Sequence, residues 1–375
     1  MRIAWITYDF EEYSALHVNA MAKEHEVLLA MPQHEDGESG YFVADNVEHY
    51  AFTKPRLRQP FKQIQSVRQI VNRVHEFQPD VVHFQQGHLW FNFVLRQLKK
   101  YPLVVTIHDP RHHAGDSVSQ KTPQWVIDHG FRKADHVVVH GSQLVPQVRE
   151  LFGFPEERIH VIPHVAMGQA AQPESTGTEE PNTVLFFGRI WNYKGLDYLI
   201  RAQPQITEAV PDARIIIGGQ GEDFDRYEQM MTDRDRFEIH NRWISDEERA
   251  TMFERSAVVV LPYTEATQSG VIPVAYTHGK PVVATRVGAL EESVDHNETG
   301  ILVPPRNVDE LASAIIRLLQ NPELRHSMGT AAKQKLEREL SPEVVAAQTV
   351  EAYRAAIESR GVPTVRSREL TGAAS

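Results

Sequence analysis

The chain has 375 residues, 41% hydrophobic and 24% charged, enough for two domains of ordinary size and too apolar for a disordered polymer. Its 39 Lys and Arg against 50 Asp and Glu leave a net charge of −11, which argues against nucleic acid or a polybasic membrane surface as the main partner. With no cysteine, a disulfide framework, a thiolate metal site and a catalytic thiol are all excluded.

Short β-branched runs alternate with amphipathic stretches along the chain. Strands are expected at residues 2–7, 26–30, 80–84, 103–108, 136–140 and 158–163, with helices at 60–77, 89–100 and 143–152 between them. Residues 166–182 are rich in Gly, Pro, Gln, Ser, Thr and Glu, have no apolar period, and read as a linker. The alternation resumes with strands at 183–187, 214–218, 237–240, 257–261, 281–285 and 300–303 and a helix at 196–206. Ser341 as N-cap and Pro342 in the first turn open a last helix over residues 341–359, expected to pack back toward the N-terminal domain; residues 360–375 form a tail without apolar period. Strands alternating with helices imply right-handed βαβ units, so two doubly wound domains are expected at residues 1–165 and 183–340, with ligands beyond the carboxyl ends of the strands. No uncharged run reaches the roughly 18 residues of a membrane span and no secretory leader is recognised, which predicts a cytoplasmic protein whose membrane contact is at most peripheral, at the inner face.

The residues that carry chemistry stand at those strand ends. A buried run ends at Gly188, Arg189 follows at once, and Lys194 sits at the mouth of the next helix. Two cations beside a helix N-terminus suit a diphosphate: the helix offers N–H groups and its positive dipole end, and arginine a planar fork. The rival is a solvated turn with two surface cations. Ile215, Ile216 and Ile217 run into Gly218, Gly219 and Gly221, a tight turn unlike the dinucleotide fingerprint but open to a close ligand. After Leu261 and Pro262, a polar loop carries Glu265, a carboxylate able to accept from two sugar hydroxyls, and leads to Ser269, Gly270 and Val271, where a helix begins. In the first half His108 ends a buried strand. Its rival readings are a core-edge histidine or a metal cluster with Asp109, His112 and His113; Pro110 and the lack of a second aligned carboxylate argue against the metal.

The order Gly188-Arg189, Lys194-Gly195, the glycine turn, the acidic loop with Ser269-Gly270-Val271, Gly279-Lys280-Pro281-Val282-Val283-Ala284-Thr285, Val287-Gly288-Ala289-Leu290-Glu291-Glu292 and Glu298-Thr299-Gly300-Ile301-Leu302-Val303 resembles the retaining glycosyltransferases of family 4. The likeness is specific over residues 184–319. It implies an α/β chain of GT-B fold, two Rossmann-like, doubly wound parallel-sheet domains facing a cleft, with the acceptor side in the N-terminal domain and the nucleotide-sugar donor in the C-terminal one. By the same resemblance Arg189 and Lys194 hold the donor diphosphate, Gly188 and Gly219 border the donor, and the loop from Glu265 through Ser269, Gly270 and Val271 meets the sugar and distal phosphate. Glu292 lies near the nucleotide, Arg242 and Trp243 border the base, and His108 faces the transferred sugar. The acceptor is expected around His17, Trp90, Arg111, His112 and Asp116.

Two features depart from the family pattern. The family often carries two glutamates eight positions apart; anchoring on Gly279-Lys280-Pro281 puts Val274 where the ribose-binding glutamate would be and Ala266 at the first, with Glu265 one place earlier. The family's first loop usually has paired glycines, whereas Asp9-Phe10-Glu11-Glu12-Tyr13-Ser14 has none.

The implied activity is retaining, metal-independent hexosyl transfer from a UDP- or GDP-sugar to a glycan, lipid-linked or small-molecule acceptor, as in polysaccharide biosynthesis. No cofactor and no metal are expected, because the nucleotide-sugar is itself a substrate. Charge builds on the β-phosphate as the glycosidic bond breaks, so preorganised cations lower the barrier. No side-chain nucleophile stands out, which favours front-face displacement. A nucleotide-sugar epimerase or hydrolase of the same fold, or a non-catalytic GT-B partner subunit, are the alternatives.

Overall fold

Runs such as Ile3-Ala4-Trp5-Ile6 and Val81-Val82-His83-Phe84 are buried residue after residue, without the in–out alternation of a half-exposed sheet. That pattern belongs to parallel sheets covered on both faces. The computed structural model describes residues 1–33, 41–85, 87–112, 122–168, 178–221 and 223–361. It divides into two units: Met1 to Val165 joined by the segment from Pro342, and Ala166–Ser341.

In the N-terminal unit the elements are β1 (Arg2–Thr7), α1 (Glu11–Met21), β2 (Glu26–Pro32), β3 (Val47–Phe52), α2 (Pro60–Phe77), β4 (Val81–Gln85), α3 (Leu89–Asn92), β5 (Leu103–Thr106), α4 (Gln124–Phe131), β6 (His136–Val139), α5 (Leu144–Phe152) and β7 (Ile159–Val161). The seven strands are all parallel, in the order β3-β2-β1-β4-β5-β6-β7. The second unit has β8 (Thr183–Phe187), α6 (Leu196–Ala209), β9 (Arg214–Gly219), α7 (Asp225–Glu228), β10 (Phe237–Asn241), α8 (Asp246–Arg255), β11 (Val258–Leu261), α9 (Val271–Thr277), β12 (Val282–Thr285), α10 (Leu290–Ser293), β13 (Gly300–Val303), α11 (Val308–Gln320) and α12 (Pro322–Lys335). Its six parallel strands run β10-β9-β8-β11-β12-β13. The last helix, α13 (Pro342–Ser359), packs on α1, and its Tyr353 hydroxyl lies 2.8 Å from Nδ1 of His83. Arg360 then reaches Asp135 at 2.8 Å; the rest of the expected tail, from residue 362, lies outside the described residues. No helix among the described residues is long and apolar enough to cross a membrane.

Three elements differ from the sequence expectation. β3 was not expected, because only Val47 and Phe52 of its six residues are buried; it is an edge strand held by its register to β2. The expected helix over 89–100 stops at Asn92 and is followed by a separate 3₁₀ turn at Leu95–Leu98. The Asn92 carboxamide turns inward, accepting from the His88 N–H and donating to the Val126 carbonyl, and so competes with the helical bonds. The loop after β1 is also shorter than expected, since α1 already begins at Glu11.

The expected linker is fastened at both ends, while residues 169–177 lie outside the described residues. Ala166 donates its N–H to the Leu340 carbonyl at 2.7 Å. Glu180 pairs with Arg255 at 2.7 Å. Glu179 binds two cations that are almost wholly buried: Lys280, 8% exposed, at 2.8 Å, and Arg325, 3% exposed, at 3.0 Å. Removing one partner of such a site leaves uncompensated charge in the interior. Glu179→Ala is therefore expected to destabilise the C-terminal unit by about 3 kcal/mol, seen as a lower thermal midpoint, whereas Glu323→Ala, a surface change, should move it little; an unchanged midpoint for Glu179→Ala would mean that Lys280 and Arg325 find water instead.

Candidate functional site

In the C-terminal sheet the order reverses beside β8, which has β9 on one side and β11 on the other. The loops after β8 and β11 leave this switch point in opposite directions, where open α/β sheets bind ligands. They carry the expected donor residues. Thr264 donates its N–H to the Tyr193 carbonyl at 2.7 Å, and the Gly188 and Ile190 N–H groups donate to the Gly218 and Gln220 carbonyls at 2.9 and 3.0 Å. Two glycines make this packing possible. A Cβ on Gly195, at φ 68°, would lie 1.9 Å from the Pro262 carbonyl oxygen, and one on Gly219, at φ 143°, 1.9 Å from that of Gly188.

Lys194 closes the loop just before α6. Its ammonium sits 3.9 Å from the centroid of the Tyr263 ring, which aims it by a cation–π contact. The Tyr263 hydroxyl lies 3.3 Å from Oγ of Ser269, which in turn accepts from the Val271 N–H at 3.3 Å. Tyr263 thus couples Lys194 to the start of α9, a link the sequence reading missed although the residue stands two places after the strand. Gly188 faces Val271, whose Cγ2 would be 3.6 Å from an added Cβ. So Gly188, Lys194, Ser269, Gly270 and Val271 are brought together. Arg189 and Glu265 are exposed on the same two loops, and Glu292 is exposed on α10.

At the other side of β8, Arg242 and Trp243 follow β10. Arg242 is engaged by both carboxylate oxygens of Glu248, at 2.8 and 2.5 Å, which fixes its guanidinium beside the capping box of α8. Trp243 is 80% exposed. Val274 is buried in the core under α9, against Gly168, so its position offers the ribose no polar group. Lys280 of the motif is the buried partner of Glu179 and holds structure, not ligand.

The N-terminal unit gathers imidazoles at its carboxyl edge. His108, His140 and His164 follow the neighbouring strands β5, β6 and β7 and lie 4.8 to 6.2 Å apart, centroid to centroid. The three strand–histidine pairs were legible in the sequence, but only His108 was singled out. Gln85, at the end of β4, joins them to the helix α13. Its carboxamide nitrogen reaches Nε2 of His108 at 2.5 Å and its oxygen lies 3.2 Å from Nε2 of His83, whose Nδ1 meets Tyr353. An amide N–H at Nε2 leaves the His108 proton on Nδ1, a buried donor with no partner among the described residues. Phe10, in a left-handed conformation at φ 64°, lays its ring flat on His108 at 4.0 Å. Burial, reinforced by the facing histidines His140, His164, His83 and His17, holds the His108 imidazole well below its usual range. Burial likewise lowers His17, His83 and His164 to about 3 and His140 to about 4.

Of the acceptor-side residues, His17 needs correction and three others are tied into the fold. His17 is wholly buried between Trp5 and Tyr13, with Nδ1 at 2.8 Å from the Tyr13 carbonyl, and meets no surface. Trp90 commits its indole N–H to the Leu57 carbonyl at 3.1 Å. Arg111 pairs with Asp128 within α4 at 2.7 Å, and His112 is tied to Gln124 and the Thr122 carbonyl at the start of that helix. Asp116 lies outside the described residues. Among the described residues no three His, Asp or Glu side chains are placed to hold a metal ion.

Two parallel Rossmann-like sheets of seven and six strands are the GT-B architecture, and solved structures of that fold match the chain along nearly its whole length. Sucrose-phosphate synthase from Thermosynechococcus elongatus matches with a TM-score of 0.73 at 19% identity, over 96% of this chain and 100% of that one. Anabaena Alr3699/HepE in complex with UDP-glucose matches at 0.67 and 18%, over 95% and 100%. Residues 11–165 match the family model Glycosyltransferase Family 4, and residues 181–321 match Glycosyl transferases group 1. The chain belongs to the GT-B glycosyltransferases of this family-4, group-1 type. It is 29% identical over 258 residues to the alpha-D-kanosaminyltransferase of Streptomyces kanamyceticus, covering 64% of this chain and 67% of that one. It is 28% identical over 311 residues to the glycogen synthase of Mycobacterium tuberculosis, covering 77% and 72%.

The buried imidazoles make the N-terminal unit sensitive to acid. Unfolded, they take up protons near pH 6.5; folded, His17, His83 and His164 do so only near 3 and His140 near 4. The stability they contribute is complete above about pH 6.5 and is lost as pH falls toward the folded values, at about 1.4 kcal/mol per pH unit for each proton taken up on unfolding. Urea unfolding should show a marked fall in midpoint between pH 7 and pH 5, before most carboxylates titrate; a flat profile over that interval would show these rings to be hydrated.

Proposed function

We propose that Arg189 and Lys194 bind the diphosphate of a UDP- or GDP-sugar and that the chain transfers the sugar with retention, without a divalent metal, to a glycan, lipid-linked or small-molecule acceptor. The observation that carries this reading is the Lys194 ammonium held over Tyr263 at the switch point of the second sheet, directly before α6. There a phosphate meets a positioned cation, the N–H groups of a helix start and its positive dipole end. Arg189, at the end of β8, adds a planar fork. The Anabaena neighbour was solved with UDP and with UDP-glucose, which favours a uridine donor. In this reading Trp243 and Arg242, directly after β10, border the base, and Glu265, exposed after β11, offers a carboxylate to sugar hydroxyls.

The transfer is front-face. The bond from the anomeric carbon to the β-phosphate oxygen breaks, and the departing phosphate takes the proton of the acceptor hydroxyl. The acceptor oxygen then bonds the anomeric carbon on the face the phosphate leaves. Arg189 and Lys194 stabilise the growing negative charge more than the ground state. His108, with its proton on Nδ1, donates to a sugar hydroxyl once the Phe10 ring moves aside.

Lys194→Ala is expected to lower kcat/KM by about 10²–10³ and to weaken binding of the bare nucleoside diphosphate in calorimetry. His108→Ala should lower kcat but leave the bare nucleotide's affinity intact, since that ligand has no sugar. Equal loss of nucleotide affinity in both would refute the division of roles. Metal independence is checked separately: activity should survive EDTA, and a loss that Mg²⁺ or Mn²⁺ restores would reassign the charge stabilisation to a metal.

A further inference from the structure

One part of the N-terminal unit's surface carries large apolar side chains that no described residue covers. On the first turns of α2, Phe61 is 87% exposed and Ile64 is exposed as well; Phe93, directly after α3, is 50% and Trp125, at the start of α4, 64% exposed. These positions lie on adjoining elements. α2 packs on α3 and α3 on α4, Trp90 fastens α3 to the Leu57 carbonyl ahead of α2, and the Phe93 and Trp125 rings lie 6.0 Å apart. Scattered apolar residues are normal on a surface, but such a group of aromatics marks an interaction face.

The charges around it that are free of an ion pair among the described residues are positive. From Thr53 to His75 there is no carboxylate, nor from Val81 to His108, in a chain whose net charge is −11. Arg56, Arg58, Lys62, Arg68 and Arg96 are exposed and make no ion pair among the described residues. Phe61, Ile64 and Arg68 follow the i, i+3, i+7 spacing of one helix face. The nearby Asp128 of α4 is already held by Arg111 and Gln124. Aromatics at a water–acyl boundary with flanking cations is the pattern of interfacial membrane binding, in which apolar burial and attraction to anionic lipid act together. A duplex nucleic acid would satisfy the cations but leave Phe61 and Ile64 in water.

We propose that this face docks on an anionic lipid bilayer, with Phe61, Ile64, Phe93 and Trp125 entering the headgroup–acyl boundary and the flanking cations resting on lipid phosphates. None of these residues belongs to the donor loops, so nucleotide binding by the same variants reports on the fold independently.

The test is cosedimentation of the full chain with vesicles of phosphatidylcholine alone and of phosphatidylcholine mixed with phosphatidylglycerol. Binding is expected to the mixed vesicles at low salt, to fall with added salt, and to be weak on phosphatidylcholine. Arg58→Gln with Lys62→Gln should lower partitioning roughly fivefold per cation. Phe61→Ser with Trp125→Ser should abolish it while the thermal midpoint and nucleotide binding stay unchanged. Tryptophan emission should shift to the blue on mixed vesicles and lose that shift in Trp125→Phe. No binding to mixed vesicles at low salt would overturn the proposal. So would binding indifferent to Phe61→Ser with Trp125→Ser and matched by soluble heparin, which would make the face a general polyanion site, or self-association through these residues in place of vesicle binding.

Discussion

In a parallel sheet every strand points the same way, so every following loop emerges at one edge, and where strand order reverses two of those loops part and leave a crevice. The reversal falls between β1 and β4 in one unit and between β8 and β11 in the other. The candidate chemistry follows from it. Arg189 and Lys194 leave β8; Tyr263, Glu265 and Ser269 leave β11; Phe10 leaves β1; and Gln85 ends β4. None of these residues needs long-range coordination beyond the sheet register to arrive at its crevice.

The two edges solve opposite electrostatic problems. In the C-terminal unit cations stand near water, and glycines 195 and 219 let backbones close to van der Waals contact beneath them. Lys194 is oriented by an aromatic face rather than a carboxylate, which leaves its charge available to an anion. The buried cations Lys280 and Arg325, by contrast, are neutralised by Glu179 and serve the fold. In the N-terminal unit imidazoles are packed ring against ring, and burial keeps them uncharged, so the edge is polar but neutral. A neutral imidazole with one committed nitrogen and one open donor suits hydroxyl recognition better than phosphate binding.

Phe10 shows how a departure from the family pattern is accommodated. A left-handed backbone costs a side-chain-bearing residue roughly 1–2 kcal/mol, the reason glycine is usual there. Here the stacked contact with His108 offsets part of that strain. Val274 is the reverse case: the side chain is absorbed into the core under α9, and the polar role expected at that position has no substitute at the same place.

The sequence by itself determined the parallel strands of both sheets other than β3, the helices with clear apolar period such as α2 and α5, and the loops that carry Arg189, Lys194, Glu265 and Ser269, because these depend on local pattern and on glycine at turns. It also exposed the strand–histidine pairs, without saying that they meet. Only the tertiary structure decided what depends on distant partners. Tyr263 aims Lys194, Gln85 sets the tautomer of His108, Glu248 engages Arg242, and Tyr353 arrives at His83 from 270 positions along the chain. His17 looked like a surface candidate and is core, because the register of β1 beside β4 places Trp5 opposite His83 and α1 folds over both. Burial is a property of the assembled sheet and its covering helices, and no local window of sequence contains it.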